Sequence, residues 1–384
     1  MDELIALRHD LHRQPELSGN EAATAKRIEQ RFAQMGPDQV LRRLGGHGLA
    51  FVFDGRDPGP TVLLRCELDA LPILELGQSP YRSERTGVGH LCGHDGHMAI
   101  LASVGRALAA NRPARGRVIL LFQPAEETGA GAAAVLQDPQ FAQIKPDVCF
   151  ALHNVPGYPL GQLLLRKGTF CCASRGMAVV LEGTTAHAAQ PETGTSPARA
   201  MCQIISGLAE LPKHIRADKE IVLTTVVGAR LGEKAFGTAP GRAELWATLR
   251  TETDHSMSAL IARAEDLVRS AAAADGLRVS ISYADVFSAT INAEAQVEQV
   301  RLAAQNLSLV DMPAPFRWSE DFGRYSAVAP GALFGIGAGE RAADLHSPDY
   351  DFPDELIEIA SKLFLRIIGQ SLGTGAAQTV PHDD

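Results

Sequence analysis

Residues 90–97 read His-Leu-Cys-Gly-His-Asp-Gly-His, which places Cys92, His94, Asp95 and His97 within a few positions of one another. The residues that follow (Met98, Ile100, Leu101, Val104, Leu108) are apolar at helical spacing, so the donors sit at or just before a helix N-terminus. That end of a helix carries partial positive charge and favours the thiolate of Cys92 over the thiol. Thiolate and imidazole together suit zinc and neighbouring transition metals. The alternative is an ordinary His-rich loop.

Further donors lie where short apolar runs end. Strands are expected over 49–53, 61–65, 118–122, 148–152 and 332–336, each bounded by turn residues or helical patterns. Just beyond four of them come Glu67 and Asp69, Glu126 and Glu127, His153, and, after a longer loop, His346. In open α/β sheets ligands bind in the crevice outside the carboxyl ends of the strands. Residues as distant as His94 and His346 can therefore share one pocket. Helices are expected over 2–13, 20–35, from the donor stretch to about 110, after the Gly- and Ala-rich entry QPAEETGAGA (123–132) to about 138, and over 353–369. The tail after Gly373 is expected to fray.

A different pattern fills 173–287. Its order is strand (176–182), helix (195–211), strand (220–228), strand (242–250), helix (255–274), strand (277–286). This β-α-β-β-α-β order is ferredoxin-like, with two helices on one face of an antiparallel sheet. The fold class expected is α/β, a mixed sheet flanked by helices in a catalytic domain made of 1–172 and 288–384. An α+β domain, 173–287, is inserted into it.

With 384 residues, 45% of them hydrophobic and 21% charged, the chain suits a globular enzyme of two domains. A net charge of −9 argues against a nucleic-acid footprint and gives an anionic membrane nothing to hold. Six cysteines without a Cys-x-x-Cys pair do not form a disulfide framework or a zinc ribbon. The N-terminus is charged and amphipathic rather than signal-like, and no apolar run approaches the roughly 20 residues of a membrane span. A cytoplasmic protein is expected.

Cys92, His94, Glu127, His153 and His346, with Glu67 or Asp69 in reserve, exceed the four ligands of a closed structural zinc. Such a set suits two metals roughly 3.5–4 Å apart, for which a thiolate sulfur can serve as bridge. Of the adjacent carboxylates, one can bind metal while the other works as proton carrier to an activated water and then to a departing amine. Read alone, the pair is equally a solvated start to a helix. Asp69 is either a supporting carboxylate or a structural N-cap.

HLCGHDGH, QPAEETGAGA, the strand leading to His153, SEDF (319–322) and LHSP (345–348) occur in an order and spacing that resembles one family. It is the metal-dependent amidohydrolases that cleave N-acyl amino acids. More narrowly, the chain is similar to the branch containing hippurate hydrolase, bacterial aminoacylase and the plant indoleacetyl-amino-acid hydrolases. That branch is kin to the carboxypeptidase-like di-metal peptidases, and the match runs from LHRQPELSGNE (11–21) to YDF (350–352).

The resemblance implies two divalent metals, zinc or manganese with cobalt or nickel as substitutes, held by Cys92, His94, Glu127, His153 and His346. It implies Glu126 as general base with Asp69 in support. It further implies a lid domain that forms a homodimer, His187 as oxyanion donor, and Arg250 as partner of a substrate carboxylate. The substrate expected is a small N-acyl or N-aroyl amino acid, with no nucleic acid and no membrane. The chain departs from the family pattern at Glu67 and Cys66 (RCELDALP for RADMDALP), at Thr184-Thr185 (for Gly-Gly) and at Gly237-Thr238-Ala239-Pro240 (for Asn-Val-Ile-Pro). A kept metal site with a changed lid points to shifted or narrowed specificity. Rival readings are a dipeptidase-type hydrolase, a non-catalytic binding or regulatory protein, and a metal-free cysteine hydrolase using Cys92.

Overall fold

The structure is a computed structural model, and residues 1–215 and 220–372 are described. The expectation of a frayed tail after Gly373 lies outside those residues. The chain divides into two compact units: one of Met1–Phe170, Thr290–Ala314 and the chain from Asp321 onward, the other of Cys171–Ala289 and Pro315–Glu320. Among the described residues no helix is long and apolar enough to cross a membrane.

The first unit is built on an eight-stranded mixed sheet. From edge to edge it runs Gln39–Leu44, Gly48–Asp54, Arg115–Gln123, Asp57–Glu67, Val148–Val155, Gly331–Gly337, Leu163–Leu165, Leu309–Asp311. Its four central strands are mutually parallel, with Glu67 opposite Gln123 and Gly335 opposite His153. Their near-continuous apolar runs reflect burial on both faces, as in Val118–Phe122, Val62–Leu64 and Leu333–Phe334. Parallel register brings all four carboxyl ends to one edge of the sheet.

The helix His94–Ala110 is buried on almost every side, against the helices Asp2–Arg13 and Glu355–Leu372. It starts at Gly93, which has φ 94° and serves as N-cap without a side-chain bond. A Cβ there would meet the Asn154 amide at 2.6–2.9 Å, so backbone conformation and close approach both demand glycine.

The second unit pairs Val222–Leu231, Arg242–Thr251, Ala173–Glu182 and Arg278–Phe287 in one antiparallel sheet. One face alternates Met177, Val179 and Leu181 with Ala243, Leu245, Ala247 and Leu249. It packs on Ile204 and Leu208 of the helix Ala198–Ile215 and on Leu260, Ala264 and Val268 of Asp254–Ala274.

Several local expectations differ from the structure. Gln39–Leu44 is a strand that sequence pattern did not reveal, because its polar residues mask the alternation of an antiparallel edge. His153 lies inside the strand Val148–Val155 rather than past its end. The helix reached through QPAEETGAGA begins at Gly131, after a turn entered through Ala125 at φ 51°. Asp69 caps no helix; Gly93 holds that position for the donor helix.

Substituting Gly93→Ala should destabilise the protein by about 1–3 kcal/mol, the cost of forcing a side chain into a left-handed, crowded position. Chemical denaturation measures it, and an unchanged midpoint and slope would contradict the close approach to Asn154.

Candidate metal centre

Cys92 lies immediately before Gly93, and His94 opens the helix behind it. His94 Nδ1 donates to the backbone carbonyl of Asp69 at 2.9 Å, and His153 Nδ1 to that of Asn154 at 2.8 Å. Both bonds fix the tautomer whose Nε2 lone pair is available to a ligand partner. His153 Nε2 lies 3.4 Å from Cys92 Sγ. The donor atoms of Cys92, His94 and His153 all fall within 4.8 Å of one another, and so do those of Cys92, Glu127 and His346. The two triads share the Cys92 sulfur.

Glu126 and Glu127 complete the cluster. His94 Nε2 is 3.9 Å from Glu126 Oε2 and 3.8 Å from Glu127 Oε1, and His346 Nε2 is 3.7 Å from Glu127 Oε2. These separations are too long for hydrogen bonds. Buried His94 Nε2, Glu127 Oε1 and Asp69 Oδ1 have no hydrogen-bond partner among the described residues. Polar atoms of complementary ligand type, buried and left over together, fit cations between them better than a proton network. His346, at φ 66°, is held in a left-handed backbone conformation, and its N–H donates to the Leu91 carbonyl at 2.8 Å.

The electrostatics correct one expectation. Burial first, and then the Glu127, Glu126 and Glu67 carboxylates, push the Cys92 thiol well above its ordinary value, and these outweigh the helix N-terminus. Burial likewise lifts the Glu127 carboxyl to about 7, His94 pulling it down and Asp69 adding to the rise. Burial drops His153 to about 3, keeping it a neutral imidazole. The thiolate therefore needs more than the helix terminus. A divalent cation held by these donors would supply the missing positive charge.

Around the donors, residues the sequence points to (Glu67, Asp69, His97) are tied to others it does not. His97 bridges Glu67 Oε2 and Asn154 Oδ1, 2.6 Å from each, and Asn154 Nδ2 donates to the Cys92 carbonyl at 3.1 Å and to the Tyr350 hydroxyl at 2.5 Å. Glu67 also pairs with Arg65, which reaches Asp321 and Gln123; Asp321 in turn accepts from the Ala132 N–H at 2.8 Å. Asp321 of SEDF is thus a buried counter-ion. Asp69 Oδ2 accepts from Ser18 Oγ at 2.6 Å and from the Glu127 N–H at 3.0 Å. Spacing gives no sign of Arg65, Ser18 or Asn154, since each acts through contacts distant in sequence.

His187 and Arg250 belong to the second unit. His187 lies on a two-stranded ladder opposite Thr238, exposed, its Nδ1 accepting from the Ala189 N–H at 3.0 Å, which leaves the proton on Nε2. Arg250 Nη1 donates to Ser319 Oγ at 2.7 Å and to the Arg317 carbonyl.

A buried cluster of metal-type donors thus lies at the carboxyl edge of an α/β sheet, where ligands bind in such folds. Residues 63–370 match the description "Peptidase family M20/M25/M40". N-acetyl-L-cysteine deacetylase of Bacillus subtilis (strain 168) is 33% identical over 94% of this chain and 86% of its own length. Hippurate hydrolase of Campylobacter jejuni is 27% identical over 95% of each chain. A crystal structure from Bacillus subtilis, described as a dinuclear metal-binding peptidase of the M20 family, superposes with a TM-score of 0.81 at 26% identity, covering 97% of this chain and 98% of that one. The chain belongs to peptidase family M20/M25/M40 and is a hydrolase of amide bonds.

Behind the donors, Asp95 Oδ2 accepts from Arg8 Nε at 2.7 Å and lies 2.9 Å from His12 Nδ1. His12 Nε2 faces Glu75 at 3.2 Å, and Arg8, Tyr81 and His90 surround the ring. Burial opposes the charge on His12, but Asp95 and Glu75 prevail and raise it to about 9. A folded-state value above the unfolded one adds stability that is complete below about pH 6.5 and lost as pH rises through 9. The unfolding free energy should thus fall by on the order of 1–3 kcal/mol between those limits. Denaturant titrations of wild type and His12→Gln check this: the variant should lose much of the slope, and an identical slope would remove His12 from the account.

Proposed function

We propose that the protein is a two-metal amidohydrolase that cleaves N-acyl or N-aroyl amino acids into a carboxylic acid and a free amino acid. The observation that supports this most directly is the shared sulfur, with Cys92 common to one triad with His94 and His153 and to another with Glu127 and His346. These five residues would hold the metals, zinc or manganese by their mixed sulfur, nitrogen and oxygen donors. When bound, the pair supplies Lewis acidity and lowers the pKa of water from about 15.7 toward 7.

In this reading Glu126 takes the proton from the attacking water and delivers it to the leaving amine nitrogen. Asp69 fixes His94 through its carbonyl and the Glu127 backbone through its carboxylate. His187, with its proton on Nε2, is the donor to the developing oxyanion, a group whose loss typically costs about 100- to 1000-fold. Arg250 is assigned to the substrate carboxylate. The second unit is read as the lid through which two copies form a homodimer, and the enzyme as cytoplasmic.

Metal removal gives the first check. A chelator should abolish turnover, and added manganese or zinc should restore it; full activity in the chelator would instead support the cysteine hydrolase. Glu126→Gln should lower kcat by about 100- to 10,000-fold with metal content unchanged, and wild-type turnover would refute the assigned base.

Specificity gives a second check. A Cβ at Gly237 meets nothing within 4 Å, so the asparagine usual in the resembled family can be introduced there without a clash at its first side-chain atom. Gly237→Asn should lower KM for hippurate and N-acetyl-methionine by about tenfold, the worth of one hydrogen bond to a charged group. Wild-type protein that already matches asparagine-bearing relatives on both substrates would contradict a shifted specificity.

A further inference from the structure

We infer that Glu21 is a positioning residue for Glu126, acting through the backbone of Ala125. The inference rests on the reading of Glu126 as general base. Glu21 is fully buried and precedes the helix Ala22–Phe32, yet its side chain does not cap that helix. Its Oε1 instead accepts two backbone N–H groups, from Gly19 at 2.7 Å and from Ala125 at 2.8 Å.

Ala125 is the residue directly before Glu126 and sits at φ 51°. For a residue with a Cβ this left-handed conformation costs on the order of 1–2 kcal/mol and persists only where the surroundings over-determine it. Here they do. The Ala125 carbonyl accepts from the Gly131 N–H at 3.0 Å and from Thr128 Oγ at 3.3 Å. Its N–H is held by Glu21. One peptide further, the Glu126 carbonyl accepts from the Gly129 N–H at 2.7 Å. The next N–H, of Glu127, is held by Asp69, itself bound by Ser18.

The two glutamates are thus bracketed by residues of one N-terminal segment, Ser18 on one side and Glu21 on the other. Adjacent carboxylates with different tasks must point in different directions, and the backbone dihedral at Ala125 sets that direction for Glu126. Releasing the Ala125 N–H lets the residue relax to negative φ and turns Glu126 away. Only Oε1 of Glu21 is engaged; Oε2 has no hydrogen-bond partner among the described residues. An acceptor oxygen, rather than a negative charge, is therefore what the site uses, and a glutamine supplies one.

Glu21→Ala, Glu21→Gln and Glu126→Gln, all in the metal-loaded full chain, test this by steady-state kinetics, metal content and amide hydrogen exchange. Glu21→Ala should lower kcat by about 100-fold, the scale of a misplacement near 1 Å. KM should stay within about threefold, because substrate binding does not run through this turn. Metal content should hold, and exchange over residues 124–130 should speed up. Glu21→Gln should recover kcat to within about fivefold of wild type and restore slow exchange. Wild-type kcat in Glu21→Ala, a loss confined to KM, or a Glu21→Gln variant as slow as Glu21→Ala would overturn the inference. Should Glu21→Ala fail to fold, Glu21→Asp replaces it: shortening the side chain by one methylene should speed exchange over 124–130 and lower kcat, and leaving both at wild-type values overturns the inference. Wild-type turnover by Glu126→Gln would overturn the base assignment instead, whatever Glu21 does.

Discussion

A thiol, three imidazoles and neighbouring carboxylates crowd one edge of the sheet, and most of them are out of reach of water. Burial, helped by like-charged neighbours, drives Cys92 and Glu127 toward their protonated forms and keeps His153 neutral. Without positive charge the cluster holds protons where donors are needed. A cation between the donors would reverse that preference, since it would stabilise thiolate and carboxylate while leaving neutral imidazole as a ligand. Every other feature of the first unit can be read as keeping that crowded set in place.

Holding it takes two kinds of support. Backbone carbonyls of Asp69 and Asn154 orient the imidazoles, so the lone pairs face inward whatever the side chains around them do. Beneath them a buried chain of contacts runs from Asp321 through Arg65, Glu67 and His97 to Asn154 and the Cys92 carbonyl. Pairs of this kind add little net stability over apolar packing, but breaking one leaves an uncompensated buried charge at a cost of about 3–5 kcal/mol. Backbone strain adds a second signature: Ala125 and His346, both L-residues at positive φ, flank the acidic turn and carry the last imidazole. Strain of this sort collects where geometry is functional.

Much of this was legible in the sequence. Cysteine, histidine and paired glutamates are rare enough that their density at 90–97 and 126–127 stands out. Apolar runs followed at once by donors gave away the parallel strands, and the β-α-β-β-α-β order of 173–287 matches the elements of the second unit. The limits were physical. Arg65 and Asp321 neutralise each other across the sheet, so neither looks unusual in its own segment. The positive φ of Ala125, which shapes the turn before the helix at Gly131, has no signature in residue type. Glu21 and Ser18 lie in a segment whose resemblance to relatives was visible but whose contacts, about a hundred residues away in the case of Ala125, were not. The strand that carries His153 runs two residues beyond it, because polar side chains at a strand's end hide its true length in an apolar run.

In the proposed centre one sulfur and four other side chains close around a pair of cations. Anomalous diffraction from crystals grown with zinc tests it most directly. The account requires two peaks roughly 3.5–4 Å apart, both about 2.3 Å from Cys92 Sγ, one toward His94 and His153 and the other toward Glu127 and His346. A single peak with four closed ligands, or density that leaves His346 or His153 outside bonding reach, would contradict it.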